Sequence, residues 1–136
     1  MADAMSIALS GLIAQGQKLA VSANNIANMS TTGSIPTAEN PASTVYKPLS
    51  VSYHSLMSGS DMGGVSTTVN EIDNPYVSVY DPSSVYANEE GFIATPNVDL
   101  VRETTNMLMT KVAYKANLNV IQAQKDMLGD LFDSMS

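Results

Sequence analysis

A seam of mainly apolar residues recurs every three or four positions along the first 26 residues. This alternating spacing is typical of a coiled-coil-like helix whose apolar seam needs a partner. It predicts a long helix that starts near Asp3 or Ser6 and ends before Gly33, a residue suited to a left-handed helix end. The members of this N-terminal seam are Met5, Leu9, Leu12, Gly16, Leu19, Ala23 and Ile26.

The last third of the chain shows helical spacing on two faces. The pattern predicts a helix that begins around Val98 or Asp99, where Asp99 and Glu103 favour the positive end of the helix dipole, and that runs almost to the end of the chain. Because one face can pack against the first helix, the other remains for a neighbouring molecule. The first stripe is Met107, Tyr114, Leu118, Ile121, Leu128 and Phe132, and the second is Val101, Leu108, Val112, Ala116, Val120, Ala123, Met127 and Leu131.

The middle of the chain has the period-two alternation of β-strands, interrupted by turn residues. A loop rich in proline and small polar residues at 34–44 precedes it, Gly63-Gly64 marks one turn, and Tyr80-Asp81-Pro82 marks another. The pattern predicts three or four short strands in a small, partly open β-domain. The alternating positions are Leu49, Val51, Tyr53, Val65, Thr67, Val69, Val77 and Val79.

Together these elements predict a mainly α fold with a small β insertion, in which the N- and C-terminal helices pack as a coiled-coil-like pair. The predicted segments are 1–33 for the first helix, 34–97 for the β and loop domain, and 98–136 for the second helix. Only 6% of the residues are aromatic and Trp is absent, so a compact core should be thin. Two long apolar seams with little core between them indicate that the helices assemble with other molecules.

Charge is concentrated in the middle of the chain. The net charge is −7, and residues 33–97 hold seven acidic residues against Lys47 alone, whereas the two helical segments are almost neutral. The helices can therefore pack without charge repulsion, while the β region faces water or a basic surface. The chain lacks a basic stripe that would neutralise phosphates, which argues against nucleic-acid binding.

Other function classes lack the residues that they need. Cysteine is absent, which excludes disulfides and thiolate chemistry, and no apolar run approaches the roughly 20 residues of a membrane-spanning helix. His54 is the only histidine, so neither a zinc site nor a histidine-based triad is expected, and Glu89-Glu90 lies in a solvated turn. We therefore expect no catalytic, cofactor-binding or metal-binding residues. The N-terminus has no cationic segment of a secretory signal, so a protein that leaves the cytoplasm would need a dedicated export route.

Two motifs at opposite ends of the chain resemble those of the bacterial flagellar axial proteins. ANNIAN at 23–28, preceded by Ser10-Gly11-Leu12 and followed by Thr32-Gly33, is similar to the N-terminal signature of rod, hook and hook-associated subunits. YKANL at 114–118 is similar to the C-terminal signature. The short middle region, with Tyr80-Asp81-Pro82 and GFIATPNVD at 91–99, makes the chain most similar to the C-type proximal rod subunits of the flagellar basal-body rod protein family.

The resemblance implies a structural subunit that polymerises into the proximal rod, the torque-transmitting drive shaft of the flagellar basal body. Its terminal helices would pair with each other and with copies of itself and other rod subunits in a helical tube, and the β region would lie further out. The implied neighbours are the MS-ring and export-gate adaptor below and the distal rod above. The implied location is the periplasmic space, after export through the flagellar type III apparatus.

The asparagines of the first motif are poor helix formers, so their place on the last turns of a helix needs a reason. Their amides could bond to adjacent helices and fix the register, as a buried Asn does in coiled coils, or they could cap an exposed helix end. Glycines would permit close approach of helices. Seams and motifs together predict these helix-packing and assembly positions: Leu9, Gly11, Leu12, Leu19, Ala23, Asn24, Asn25, Ile26, Asn28, Met107, Leu108, Val112, Tyr114, Asn117, Leu118, Ile121, Met127, Leu128, Leu131 and Phe132.

Three other readings compete with a rod subunit of the C type. The sister proximal-rod subunit is distinguished by the Pro-Asn-Val-Asp segment at 96–99. A helical adaptor or type III export substrate outside the rod would not need signatures at both ends. A small acidic enzyme would need a nucleophile and base or a phosphate-binding loop, and the sequence offers neither.

Overall fold

Two long helices frame four short strands in the computed structural model, which describes residues 2–37, 45–56 and 63–135. The elements are α1 (Ala2–Asn28), β1 (Leu49–Ser55), β2 (Val65–Glu71), β3 (Tyr76–Tyr80), β4 (Phe92–Pro96) and α2 (Leu100–Met135). The predicted fold class is confirmed: the molecule is mainly α, and a small β insertion separates two terminal helices that pack together.

The start of α2 is fixed by Asp99. One oxygen of its carboxylate accepts the backbone N–H groups of Val101 at 2.9 Å and Arg102 at 3.1 Å. This is the N-cap arrangement, which satisfies donors that have no partner inside the helix. The predicted start at Val98 or Asp99 is therefore correct within two residues, which is the usual uncertainty of a helix boundary.

The end of α1 agrees with the prediction, but the expected role of Gly33 does not. α1 stops at Asn28, and Gly33 does not have a positive φ. Instead, Gly33 exchanges two backbone hydrogen bonds with Ala94 of β4, at 3.0 and 2.9 Å. The prediction of a left-handed terminator is thus wrong, because strand pairing with a distant segment fixes this backbone.

The two helices run antiparallel in constant register. Near one end Asn25 of α1 bonds to Glu103 of α2, and near the other Gly11 lies against Asn117. Gly11 and Asn25 are fourteen positions apart in α1, and Glu103 and Asn117 are fourteen positions apart in α2, so the register does not change between the two contacts. A Cβ atom added at Gly11 would lie 2.8 Å from the Asn117 amide, so glycine permits this close approach.

The residues that α1 buries lie beside the predicted seam, and none of them belongs to it. Ala8, Ala14 and Val21 are buried, whereas Leu9 is 52% exposed and Leu19 is also exposed. Ala14 and Val21 lie at helical spacing from Ser10 and Gln17, which bond to β2. The larger apolar residues of the seam, which we expected to pair the helices, are left mainly at the surface of the subunit.

The strands form two antiparallel hairpins instead of one sheet. In the first hairpin β1 pairs with β2, with Val51 opposite Val69, and in the second β3 pairs with β4, with Val79 opposite Ile93. The first hairpin packs against α1. The prediction of three or four short strands is confirmed, and the alternating positions identified β1, β2 and β3 but not β4.

The turn that enters β4 depends on Gly91. Its φ is +82°, a left-handed conformation that favours glycine, and an added Cβ atom would lie 2.8 Å from the Tyr80 ring. That ring packs edge-on against Phe92, with ring centres 5.4 Å apart. The Gly-Phe pair of the middle motif therefore has a local structural reason.

The apolar core is small, as the composition predicts. Among the described residues, every Leu, Ile, Met and Phe side chain of the two helices is half-buried or exposed. The buried apolar residues are Ala8, Ala14, Val21, Val45, Ile93 and Ala94. The isolated subunit therefore fully buries few apolar side chains.

Candidate assembly surface

Asn25 is the polar centre of the subunit and is only 1% exposed. Its amide nitrogen donates to the Leu49 carbonyl and to a Glu103 carboxylate oxygen, each at 2.9 Å. Its amide oxygen accepts the Leu49 N–H and the Tyr46 hydroxyl, also at 2.9 Å each. All four hydrogen-bonding sites of the side chain are used. Asn25 therefore joins α1, α2, β1 and the segment before β1 at one point.

The environment of Tyr46 makes its ionisation unfavourable. Burial raises the pKa of the Tyr46 hydroxyl above its usual value of 10.0, and the nearby Glu103 carboxylate raises the pKa further. The hydroxyl must also keep its proton to donate to Asn25. Protonated Tyr46 is thus part of this hydrogen-bonded cluster of Asn25, Tyr46, Leu49 and Glu103, which we call the Asn25 junction.

We predict that the stabilisation contributed by the Tyr46 hydroxyl is lost at high pH. Because the folded state holds this proton more tightly than the unfolded state, the contribution is complete below about pH 10 and declines as the pH rises through the raised pKa. The free energy of unfolding of wild type and Tyr46→Phe, measured in urea at increasing pH, should converge above about pH 10. A difference that stays constant across this range would contradict the assignment.

The other asparagines of the two signatures bond within their own helices. Asn24 donates to the Ala20 carbonyl and Asn28 to the Asn24 carbonyl, both at 2.9 Å. Asn117 donates to the Ala113 carbonyl at 3.1 Å while lying against Gly11. Within one subunit, a register-setting hydrogen bond between helices is thus made by Asn25, and the use of Asn24 and Asn28 between subunits remains a prediction.

Three polar residues of α1 hold the first hairpin and were not among the predicted positions. The Ser10 hydroxyl accepts the Val65 N–H at 3.1 Å, and Gln17 accepts the Thr67 hydroxyl proton at 2.8 Å. The Lys18 ammonium lies 5.7 Å from the centre of the Tyr53 ring, a cation–π contact. The sequence signal that could have found them is a polar stripe of seven-residue spacing, which runs through Ser10 and Gln17 beside the apolar seam.

α2 is exposed along nearly its whole length. Of its 36 residues only Thr110 and Gln124 are buried. The predicted assembly positions that are exposed in the subunit are Leu9, Leu19, Ala23, Asn24, Leu108, Val112, Tyr114, Leu118, Met127, Leu131 and Phe132; those that are half-buried are Gly11, Leu12, Ile26, Asn28, Met107, Asn117, Ile121 and Leu128.

Exposed residues from both helices meet in a groove, which we call the interhelical groove. Its volume is about 650 Å³, and its lining is almost entirely apolar. Leu19 of α1 and Leu118 of α2 are among the predicted positions that it brings together. The residues that line it are Gln15, Gly16, Leu19, Thr104, Met107, Leu108, Thr110, Lys111, Tyr114, Lys115 and Leu118.

A second depression of about 450 Å³ lies between α1, the first hairpin and the start of α2, and it is polar. Asn25, Lys18 and Arg102 are among its lining residues. The described part of the chain contains no group of three or more His, Cys, Asp or Glu that could hold a metal ion. Neither described helix is both long and apolar enough to span a membrane.

Known protein families match both ends of the chain. Residues 5–33 match the family described as flagella basal body rod protein. Residues 89–133 match the family described as flagellar basal body rod FlgEFG protein C-terminal. The matched ranges include Asn25 and Glu103, β4 and almost all of α2.

Curated relatives cover almost the full chain. The flagellar basal-body rod protein FlgC of Bacillus subtilis is 33% identical over 136 residues, which cover 91% of each chain. FlgC of Escherichia coli O157:H7 is 35% identical and FlgC of Salmonella typhimurium 34% identical, in each case over 90% of this chain and 88% of the relative.

Proposed function

The chain belongs to the flagellar basal-body rod protein family, and from this membership we propose how its open helix faces serve the rod. It is a structural subunit of the flagellar basal body, of the proximal-rod type, and it assembles with other rod subunits. In the proposal, α1 and α2 form the part of the subunit that packs into the tube, and the two hairpins lie outside that tube.

The single observation that supports this arrangement is the exposure of α2. A 36-residue helix with two buried residues leaves an apolar surface that a soluble monomer does not need. The seam of α1 adds to this surface, because Leu9 and Leu19 are exposed in the subunit. We therefore infer that the larger apolar residues of α1 and α2 become buried against neighbouring molecules in the rod.

The location and the neighbours follow as finer parts of the proposal. We infer that the subunit reaches the periplasmic space through the flagellar type III apparatus, with the MS-ring and export-gate adaptor below it and the distal rod above. The sister proximal-rod subunit and an adaptor outside the rod are not favoured, since the relatives described above are FlgC proteins matched over nearly their full length.

The test replaces the native gene in a flagellated strain with a tagged version of this chain. Cells without the gene should not swim, and the tagged chain should restore swimming and be recovered in isolated basal bodies. A side-chain-resolution image reconstruction of those basal bodies should show α1 and α2 in the wall of the rod. Recovery of the chain only in the cytoplasm or culture medium of swimming cells would overturn the proposal.

We predict that Leu9→Asp abolishes incorporation into the rod without unfolding the subunit. Leu9 is 52% exposed in the subunit, so a carboxylate there meets water, but in the rod it would be buried without a partner at a cost of several kcal/mol. The matched control is Val85→Asp, because Val85 is 91% exposed and belongs to the turn region between β3 and β4. Circular dichroism of the purified variants should match wild type, and only the control should swim; motility with Leu9→Asp would contradict the assigned surface.

A further inference from the structure

We propose that the interhelical groove of one subunit binds the C-terminal end of α2 from a second copy of this chain. This inference rests on the proposed function and deepens it, because it names which surfaces of two copies meet. The groove is apolar and lies between the helices, and the end of α2 is an apolar segment without a helix beside it.

The length and register of the helices show that α2 extends past α1. α1 has 27 residues and α2 has 36, and Gly11 lies against Asn117. Nine residues before Gly11 the helix α1 begins at Ala2, and the matching position nine residues after Asn117 is Asp126. Residues 127–135, which we call the overhang, therefore have no part of α1 beside them.

The overhang has the composition of a helix that docks through one face. Phe132 is 69% exposed, and the other apolar side chains are spaced so that they fall within reach of one face of the helix. An apolar surface of this kind at the end of a helix is unfavourable in water and favours association. The apolar residues of the overhang are Met127, Leu128, Leu131, Phe132 and Met135.

Charges on the two surfaces are complementary. The groove is lined by Lys111 and Lys115, one helical turn apart, and no acidic residue lines it. The overhang holds Asp130 and Asp133, about one turn apart, and no basic residue. Opposite charges at the edges of an apolar contact select the partner and its orientation more than they add affinity. This pairing selects a second copy of the overhang over an uncharged or basic helix.

The dimensions and the symmetry also agree. The groove extends along α2 from Thr104 to Leu118, a length of about 21 Å, whereas the nine residues of the overhang need about 13 Å. A subunit cannot dock its own overhang, because that segment continues the same straight helix away from its own groove. A contact between two different surfaces can be repeated from one copy to the next, and it generates an open helical filament, as a rod requires, when its rotation does not close a ring.

Cysteine crosslinking tests the contact directly, since the sequence has no cysteine of its own. Full-length chains carrying Leu108→Cys in the groove together with Leu128→Cys, Leu131→Cys or Phe132→Cys in the overhang would replace the wild type in flagellated cells. After treatment with a short thiol-reactive crosslinker, at least one double variant should give a ladder of covalent oligomers from isolated basal bodies. The single variants and a control pair of Val85→Cys with Phe132→Cys should give none.

Two results would overturn the proposal while leaving the proposed function intact. One is incorporation of all three double variants into motile rods without a ladder. The other is a crosslink from Leu108→Cys to a different rod protein only, which would make that protein the occupant. Absence of the wild-type chain from basal bodies would instead refute the proposed function itself.

Charge reversal provides the second arm. Lys111→Glu with Lys115→Glu, or Asp130→Lys with Asp133→Lys, should reduce incorporation into basal bodies at least about tenfold, because like charges then face each other. The chain with all four changes should recover most of the incorporation. Coexpression of the two double variants should restore much of the incorporation, since chains that alternate in the rod place opposite charges at every contact. Failure of the four-fold variant to recover, with its secretion and fold intact, would overturn the proposed pairing of these charges.

Discussion

Asn25→Leu should lower the free energy of unfolding by about 2–5 kcal/mol. The change removes the Asn25 amide, which is the hydrogen-bond partner of the Leu49 N–H, the Leu49 carbonyl, the Tyr46 hydroxyl and the Glu103 carboxylate. Tyr46 and Glu103 can turn to water, whereas the Leu49 N–H and carbonyl are held in place by the strand. Their lost hydrogen bonds account for most of the expected cost. The measurement is equilibrium unfolding in urea, with hydrogen exchange of the Leu49 amide as a local probe.

The neighbouring Asn24 is the matched control for this variant. Asn24 is exposed, and its amide bonds only to the Ala20 carbonyl of its own helix. Asn24→Leu should therefore change the free energy of unfolding by no more than about 0.5 kcal/mol, and leucine is also the better helix former. If the two variants proved equally stable, the Asn25 junction would not be what joins the helices to the first hairpin.

Truncation after Gln122 should abolish rod assembly and motility while the subunit is still secreted. The change removes the overhang and the part of α2 that lies beside the first turns of α1. Several apolar side chains that the rod would bury are lost, at about 1.5–3 kcal/mol each, which exceeds what the remaining contacts of one subunit can offset. Immunoblots of culture medium should detect the truncated chain, and electron microscopy should show basal bodies without a completed rod.

A shorter truncation, after Asp133, controls for the loss of the native C-terminal residues. It keeps Leu128, Leu131 and Phe132 and removes only the last three residues. Cells with this chain should swim. Swimming cells with the longer truncation would show instead that the C-terminal part of α2 is dispensable, and loss of secretion would show that export depends on it.

Much of the fold can be predicted from the sequence because the periodicities are long and clear. The three- and four-residue spacing predicts α1 and α2 with ends correct within a few residues, and the alternation around Val51, Val69 and Val79 predicts three of the four strands. β4 is not distinguished by alternation, because both of its faces contain buried residues, as in Ile93 and Ala94. The paired signatures at the two ends identify the family.

The apolar faces of the helices could be predicted from the sequence, but which residues pack inside the subunit could not. Periodicity identifies an apolar face, yet it does not distinguish a face that packs within the subunit from one that is left for a neighbour. The structure shows that Gly11 lies against α2, that Ser10 and Gln17 face the first hairpin, and that Leu9 and Leu19 remain exposed. The glycine permits close approach of the two helices, whereas these larger side chains stay at the surface of the subunit.

The sequence by itself determined two long amphipathic helices, a small acidic β insertion and a thin core, because these follow from local spacing and composition. Only the tertiary structure decided that Asn25, among three similar asparagines, joins the helices to the first hairpin, that Gly33 pairs with β4, and that α2 extends past α1. Each of these depends on contacts between residues far apart in the chain. Such contacts are set by how the elements pack, and no local pattern contains that information.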